Sequence, residues 1–189
     1  MNTSKTAQTG EWGQLPWQKL EAHVFKLQKK IYRASVNGEI PTVRKLQKLL
    51  LKSQSAKLIA VRKVTQDNRG KKTAGIDGVK SLTPSQRLKL AHKLTIGCKA
   101  SPVRRVWIDK PGKIEKRPLG IPCMKDRALQ CLVKLAIEPE WEARFESNSY
   151  GFRPGRSCHD AIVAIHSTIN QKPKWVLDAD IAQCVRRDG

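Results

Sequence analysis

Negative charge is what this chain has least of. Its 16 Asp and Glu stand against 37 Lys and Arg in 189 residues, a formal net charge of +21 with a pI near 10.2. The imbalance points to a polyanionic partner, RNA or DNA, because solubility alone is served better by carboxylates than by lysines. Cysteine is sparse: Cys98, Cys123, Cys131, Cys158 and Cys184 are odd in number and form no C-x-x-C spacing. That excludes a zinc ribbon and predicts reduced thiols in a cytosol-like compartment. His159 beside Cys158 has no second pair to join it and reads as a packing or solvent residue. No apolar run approaches the ~20 residues of a membrane-spanning helix, and Met1–Gly10 lacks a signal peptide's hydrophobic stretch, so neither a membrane partner nor secretion is expected. Internal repeats and low-complexity tracts are missing too.

Helical periodicity is what the chain does have. Residues 1–15 are polar and read as a mobile tail. Trp17, Leu20, Val24, Leu27 and Ile31 then recur at steps of three and four, one face of a helix ending near Asn37-Gly38. Pro41 suits the first turn of a second helix, whose Val43, Leu46, Leu49 and Leu50 form a stripe continuing towards Ala60. Between Lys19 and Lys72 lie 15 Lys or Arg and only Glu21, Glu39 and Asp67 as acids. A solvated helix face usually interleaves both signs to gain i,i+4 pairs. Here Lys26, Lys29, Lys30 and Arg33 on the first helix, and Arg44, Lys45, Lys48 and Lys52 on the second, read as phosphate contacts. Residues 67–78 form a glycine-rich loop whose backbone N–H groups and Lys71 and Lys72 can approach a phosphodiester chain, or which is a linker of two turns.

Thr83-Pro84 opens a short helix to about Leu94, with Leu82, Leu88, Leu90 and Leu94 inward. Val103–Ile108 and Ile114–Ile121, either side of Lys110-Pro111-Gly112-Lys113, predict a hairpin. Asp126–Ile137 follows as a helix with Leu129, Leu132, Val133 and Ile137 along its core face, and Pro139 predicts a break or a new start. Ser157-Cys158-His159-Asp160 fits a capping box opening a helix with Ala161, Ile162, Ile165 and Ile169 inward. Arg153 and Arg156 precede it, near a helix N-terminus that favours anions, or simply in a surface loop. Trp175–Ile181 alternates, which sends Asp178 and Asp180 to one face of a strand. Two such carboxylates repel unless a cation lies between them, and a Mg²⁺ shared with substrate phosphates is one solution. The expected fold class is α+β.

Taken in order, Arg62-Lys63-Val64-Thr65, Gly75-Ile76-Asp77-Gly78, Arg117-Pro118-Leu119-Gly120-Ile121-Pro122, Asp126-Arg127-Ala128-Leu129-Gln130, Glu138-Pro139, Ser149-Tyr150-Gly151-Phe152-Arg153-Pro154-Gly155-Arg156-Ser157 and Asp178-Ala179-Asp180-Ile181 resemble bacterial group II intron reverse transcriptases, over roughly residues 15 to 184. The resemblance implies a mobile tail over 1–15, a helical N-terminal extension gripping intron or template RNA over 16–100, fingers over 101–174 and the start of a palm over 175–189. It implies that Lys110 and Arg117 hold an incoming nucleotide's triphosphate, that Asp180 is a catalytic, Mg²⁺-binding aspartate, and that Lys26, Lys29, Lys30, Arg33, Arg44, Lys45, Lys48, Arg62, Lys63, Lys71, Lys72, Arg153 and Arg156 face RNA. Asp178 stands where the family varies. Family members continue after Cys184 with Phe-Asp, whereas Val185-Arg186-Arg187-Asp188-Gly189 follows here, and one extra G after the Cys codon produces such a tail. The Tyr-Ala-Asp-Asp strand that carries the other catalytic aspartates does not occur in the sequence. The expectation is an N-terminal portion that binds RNA, holds no Mg²⁺ tightly and does not polymerise alone, in a bacterial cytoplasm or a eukaryotic organelle. The alternatives are a half-enzyme completed by a C-terminal reverse-transcriptase fragment, an RNA chaperone module, and a remnant without function.

Overall fold

The computed structural model describes residues 12–97, 99–112 and 114–179. The chain divides into two compact units, Met1–Arg144 and Phe145–Gly189. Among the described residues the secondary structure is helical with one antiparallel hairpin, an α+β fold, and no helix is long and apolar enough to cross a membrane.

The first unit is built on helices α1 (Trp17–Val36), α2 (Ile40–Lys52), α3 (Gln54–Arg62), α4 (Pro84–Lys93) and α5 (Met124–Glu142). Helices α1, α2 and α3 all pack on α5, and α4 packs on α3. Ile31, Val43, Leu50, Val61, Leu94 and Leu132 are fully buried, interleaved with Ala56, Ala60, Ala91, Ala128 and Ala136. These alanines let helix axes approach closely while the larger side chains fill the gaps. Helix α1 stops where the sequence predicts: Gly38 takes φ +73°, and Gly38 and Glu39 donate back to the carbonyls of Ser35 and Ala34, a left-handed cap that glycine reaches without strain.

Four expectations change here. Trp12, assigned to the tail, is buried, stacks edge-on against Trp17 at 5.0 Å and donates its indole N–H to Gln66 Oε1 at 3.0 Å. The stripe of the second helix does not run on to Ala60, because the backbone turns extended at Ser53 and α3 starts afresh; Leu49 is 53% exposed. Pro139 does not break α5. The residue lacks the N–H that would bond the Leu135 carbonyl, but Gln28 Nε2 of α1 donates to that oxygen at 2.9 Å, so the helix continues at no cost in orphaned acceptors. Ile137 is exposed, since the buried line of α5 runs Ala128–Leu132–Ala136 and Ile137 sits about 100° around from it.

Helix α3 leads into a wide turn, in which the N–H of Asn68 reaches the carbonyl of Lys63, and then a short 3₁₀ turn over Arg69–Lys72. Strands β1 (Arg104–Asp109) and β2 (Lys116–Ile121) form the hairpin, with Ile108 opposite Arg117 and Trp107 opposite Pro118.

The second unit carries α6 (Cys158–Ile169). Its capping box forms: Ser157 Oγ accepts from the Asp160 N–H, and the Asp160 carboxylate accepts from the Ser157 N–H at 2.7 Å. Ile162, Ile165 and Ile169, expected inward, are instead 61%, 57% and 48% exposed, because among the described residues no second helix or strand of this unit covers them. Trp175–Ala179, expected as a strand, is exposed and unpaired among the described residues. An extended segment counts as a strand only when a neighbour completes its hydrogen-bond ladder.

Candidate nucleic-acid interface

On α1 the burial of Val24, Leu27, Ile31 and Ala34 turns Lys26, Lys29, Lys30 and Arg33 to solvent together. Phe25 and Tyr32 flank them, 61% and 43% exposed, and Lys29 Nζ lies 5.4 Å from the Phe25 ring centroid. Sequence reasoning missed these aromatics. The signal was there: both fall off the apolar three-and-four repeat and sit among lysines. On α2, Lys45 and Lys48 are exposed opposite Val43, Gln47 and Leu50.

The arginines behave differently. Arg44 bonds Gln47 Oε1 at 3.0 Å and the buried Glu140 carboxylate at 3.2 Å, which Gln47 and Arg144 also hold at 2.7 Å and 3.0 Å. Arg62 bridges Glu21 at 3.0 Å and Asp67 at 3.7 Å and lies over the Trp17 ring at 4.7 Å. Both brace the bundle. Lys63 is exposed. Arg87 donates to Gln66 Oε1 and the Thr65 carbonyl, and burial lowers its pKa below the ordinary value while Asp67 raises it.

The glycine-rich loop is a fixed structure. Arg127, at the start of α5, donates to three carbonyls: Pro122 at 2.8 Å, Gly70 at 2.9 Å and Thr73 at 2.7 Å. A Cβ on Gly75 would lie 2.7 Å from Cys123 Cα, so only glycine permits this approach. Lys71 Nζ donates to the Gln66 carbonyl, leaving Lys72 as the exposed lysine of the pair. The clamp by Arg127 was invisible in sequence, because two of its three acceptors are backbone atoms more than fifty residues away.

Lys110 and Arg117 come together on one face of the hairpin. The register pairs Ile108 with Arg117, and the next like-facing pair is Lys110 with Glu115, whose carboxylate holds Lys110 Nζ at 2.7 Å. Val106, Ile108 and Lys110 on this face are half-buried. In the second unit Arg153 is buried over the Phe145 ring and donates to the carbonyls of Glu146 and Ser149, while Arg156 donates to the Ser147 carbonyl and lies over Tyr150. Both hold the turn before α6. Asp178 is exposed, and Asp180 lies outside the described residues. Reverse transcriptases generally use Mg²⁺, but among the described residues no group of three His, Cys, Asp or Glu side chains could hold a metal ion.

Two family models match the chain: the N-terminal domain of reverse transcriptase over residues 12–94, and reverse transcriptase (RNA-dependent DNA polymerase) over residues 108–187. Protein YkfC of Escherichia coli (strain K12) is 36% identical over 153 residues, 75% of this chain and 40% of that protein. Maturase-like protein 1 of Euglena gracilis is 32% identical over 148 residues, 72% of this chain and 30% of its own length. The group II intron-encoded protein LtrA of Lactococcus lactis subsp. cremoris is 36% identical over 120 residues, 62% of this chain and 20% of that protein. The chain thus spans less than half the length of these relatives. With both reverse-transcriptase models matched in chain order, and a maturase-like and a group II intron-encoded protein among its relatives, the chain belongs to the reverse transcriptase/maturase family of group II introns.

Proposed function

We propose that this chain binds intron or template RNA along the solvent faces of α1 and α2. One observation carries the reading: Lys26, Lys29, Lys30, Arg33, Lys45 and Lys48 are exposed, and none forms an ion pair with a carboxylate among the described residues. Lys72 and Lys63 extend the same chemistry. Phe25 and Tyr32 offer flat apolar surface beside the charges, the combination that single-stranded nucleic acid favours. The names of the Euglena and Lactococcus relatives make an intron RNA the first ligand to try.

Fluorescence anisotropy with labelled single-stranded RNA tests this. Six neutralised phosphates give a slope of log affinity against log salt near about −4. Replacing Lys26, Lys30 and Arg33 with Gln should make that slope shallower by about 2. Affinity indifferent to salt would sink the reading.

In the same proposal the chain does not copy RNA into DNA by itself. Two-metal phosphoryl transfer needs carboxylates converging from separate strands, and the sequence offers Asp180 without a Tyr-Ala-Asp-Asp segment. A second reading, completion in trans by a C-terminal reverse-transcriptase fragment, draws on the exposed apolar side chains Ile162, Val163, Ile165 and Trp175. Asp180→Ala separates the two, since it abolishes reconstituted synthesis and leaves RNA binding unchanged.

A further inference from the structure

The hairpin has two faces of opposite character, and the larger apolar side chain is on the wet one. Arg104, Val106 and Ile108 face the same way as Ile121, Leu119 and Arg117, on the partly sheltered side. Arg105, Trp107 and Asp109 face the other way with Gly120, Pro118 and Lys116, and all six are exposed. Trp107 is 56% exposed, although the sheltered side of the same strand takes the smaller Val106 and Ile108. Burying the indole would have gained more than burying either. On β2 the residue opposite is the compact Pro118, and Gly120 brings no side chain of its own, the space over it being approached by Val103, whose Cγ2 would lie 3.1 Å from a Cβ there. Cations border it, Arg105 on its own strand and Lys116 diagonally across. Among the described residues Lys116 pairs with Asp109 at 3.3 Å, with side chains 59% and 83% exposed. Such an open pair is worth little and is readily exchanged for a phosphate.

We infer that this face, centred on Trp107, is a stacking platform for an unpaired RNA base whose flanking phosphates lie on Arg105 and Lys116. An indole face accepts any base, and charge on both sides fits a backbone passing over the ring. The platform lies on the side of the hairpin opposite Lys110 and Arg117, so one hairpin presents two separate polyanion-facing surfaces. The inference rests on RNA being the ligand of the chain and adds where, and in which strandedness, it is held.

The test compares the full chain with Trp107→Ala and Trp107→Phe, using labelled 20-nucleotide single-stranded RNA and a 20-base-pair RNA duplex. Trp107→Ala should weaken single-strand binding about tenfold, Trp107→Phe should keep it within about threefold of wild type, and duplex binding should not change. On the wild-type protein, 4-thiouridine in the single strand should crosslink to the segment 105–109, a readout independent of any variant's folding. Equal single-strand affinity for Trp107→Ala and wild type, a loss shared equally by duplex RNA, or a crosslink map without this segment overturns the platform while leaving RNA binding in place. A wild-type chain that binds neither RNA overturns both proposals.

Discussion

Gln28 Nε2 sits 2.9 Å from the carbonyl oxygen of Leu135, the acceptor that the imide nitrogen of Pro139 cannot serve. The side chain of one helix thereby replaces a main-chain bond of another. Gln28→Ala should cost about 1 kcal/mol by urea unfolding, the value of a hydrogen bond whose acceptor is left partly buried. In a Pro139→Ala background the helix regains its own N–H donor, so the same substitution should cost markedly less. A double-mutant cycle with no coupling between the two positions would contradict this account.

Gly75 should tolerate no side chain. An added methyl group would meet the Cys123 backbone at 2.7 and 2.8 Å and the Pro122 carbonyl oxygen at 2.9 Å, all main-chain atoms with no flexible side chain among them to yield. Gly75→Ala should lower stability by about 2 kcal/mol, read as a shifted urea midpoint. The control Gly13→Ala, where a Cβ meets nothing within 4 Å, should stay near wild type.

Asp160 gives α6 a pH dependence. Hydrogen bonds from the Ser157 side chain and then its backbone hold the carboxyl below its ordinary value, with Arg156 and His159 adding to the effect against desolvation. A depressed folded-state pKa means the capping contribution is complete above the ordinary carboxylate range and disappears as pH falls through the folded value. Carbon-detected titration of the Asp160 carboxyl should therefore show a midpoint below that of an unstructured Asp, moving up in Ser157→Ala. An unmoved midpoint counts against the capping box.

The thiols should react in a set order. Burial raises the Cys131 pKa, outweighing the opposing effect of Lys63 and Lys134, with Glu138 raising it further, so its thiolate fraction at pH 8 is below that of an ordinary cysteine. Cys158 is exposed. Iodoacetamide followed by peptide mass spectrometry should label Cys158 well before Cys131, and the gap should close in urea. Equal rates in the folded protein would show that Cys131 is not shielded.

Much of the helical unit is legible from local pattern. Val24, Leu27 and Ile31 announce a buried face, and Asn37-Gly38 announces its end, because both depend on neighbours a few residues away. Pro139 misleads for the converse reason: its compensation comes from Gln28, 107 residues before the Leu135 carbonyl that it serves. Lys26, Arg44 and Arg62 look alike in sequence. Only tertiary partners distinguish them, since Glu140 takes Arg44 from 96 residues away and Glu21 takes Arg62 from 41. The isoleucines of α6 show the limit of periodicity, which states that a face is apolar but not that anything lies against it. Trp107 escapes pattern reading altogether, because alternation separates two hairpin faces without saying which one is wet.

The lysine-lined outer sides of α1 and α2 also act on the fold itself. Like charges crowded on adjoining helices push against one another at low ionic strength, and the alanine-rich interior has to hold against that pressure. A polyanion laid across them would relieve the repulsion and raise the melting temperature, so the ligand would act as a structural support for the bundle that binds it.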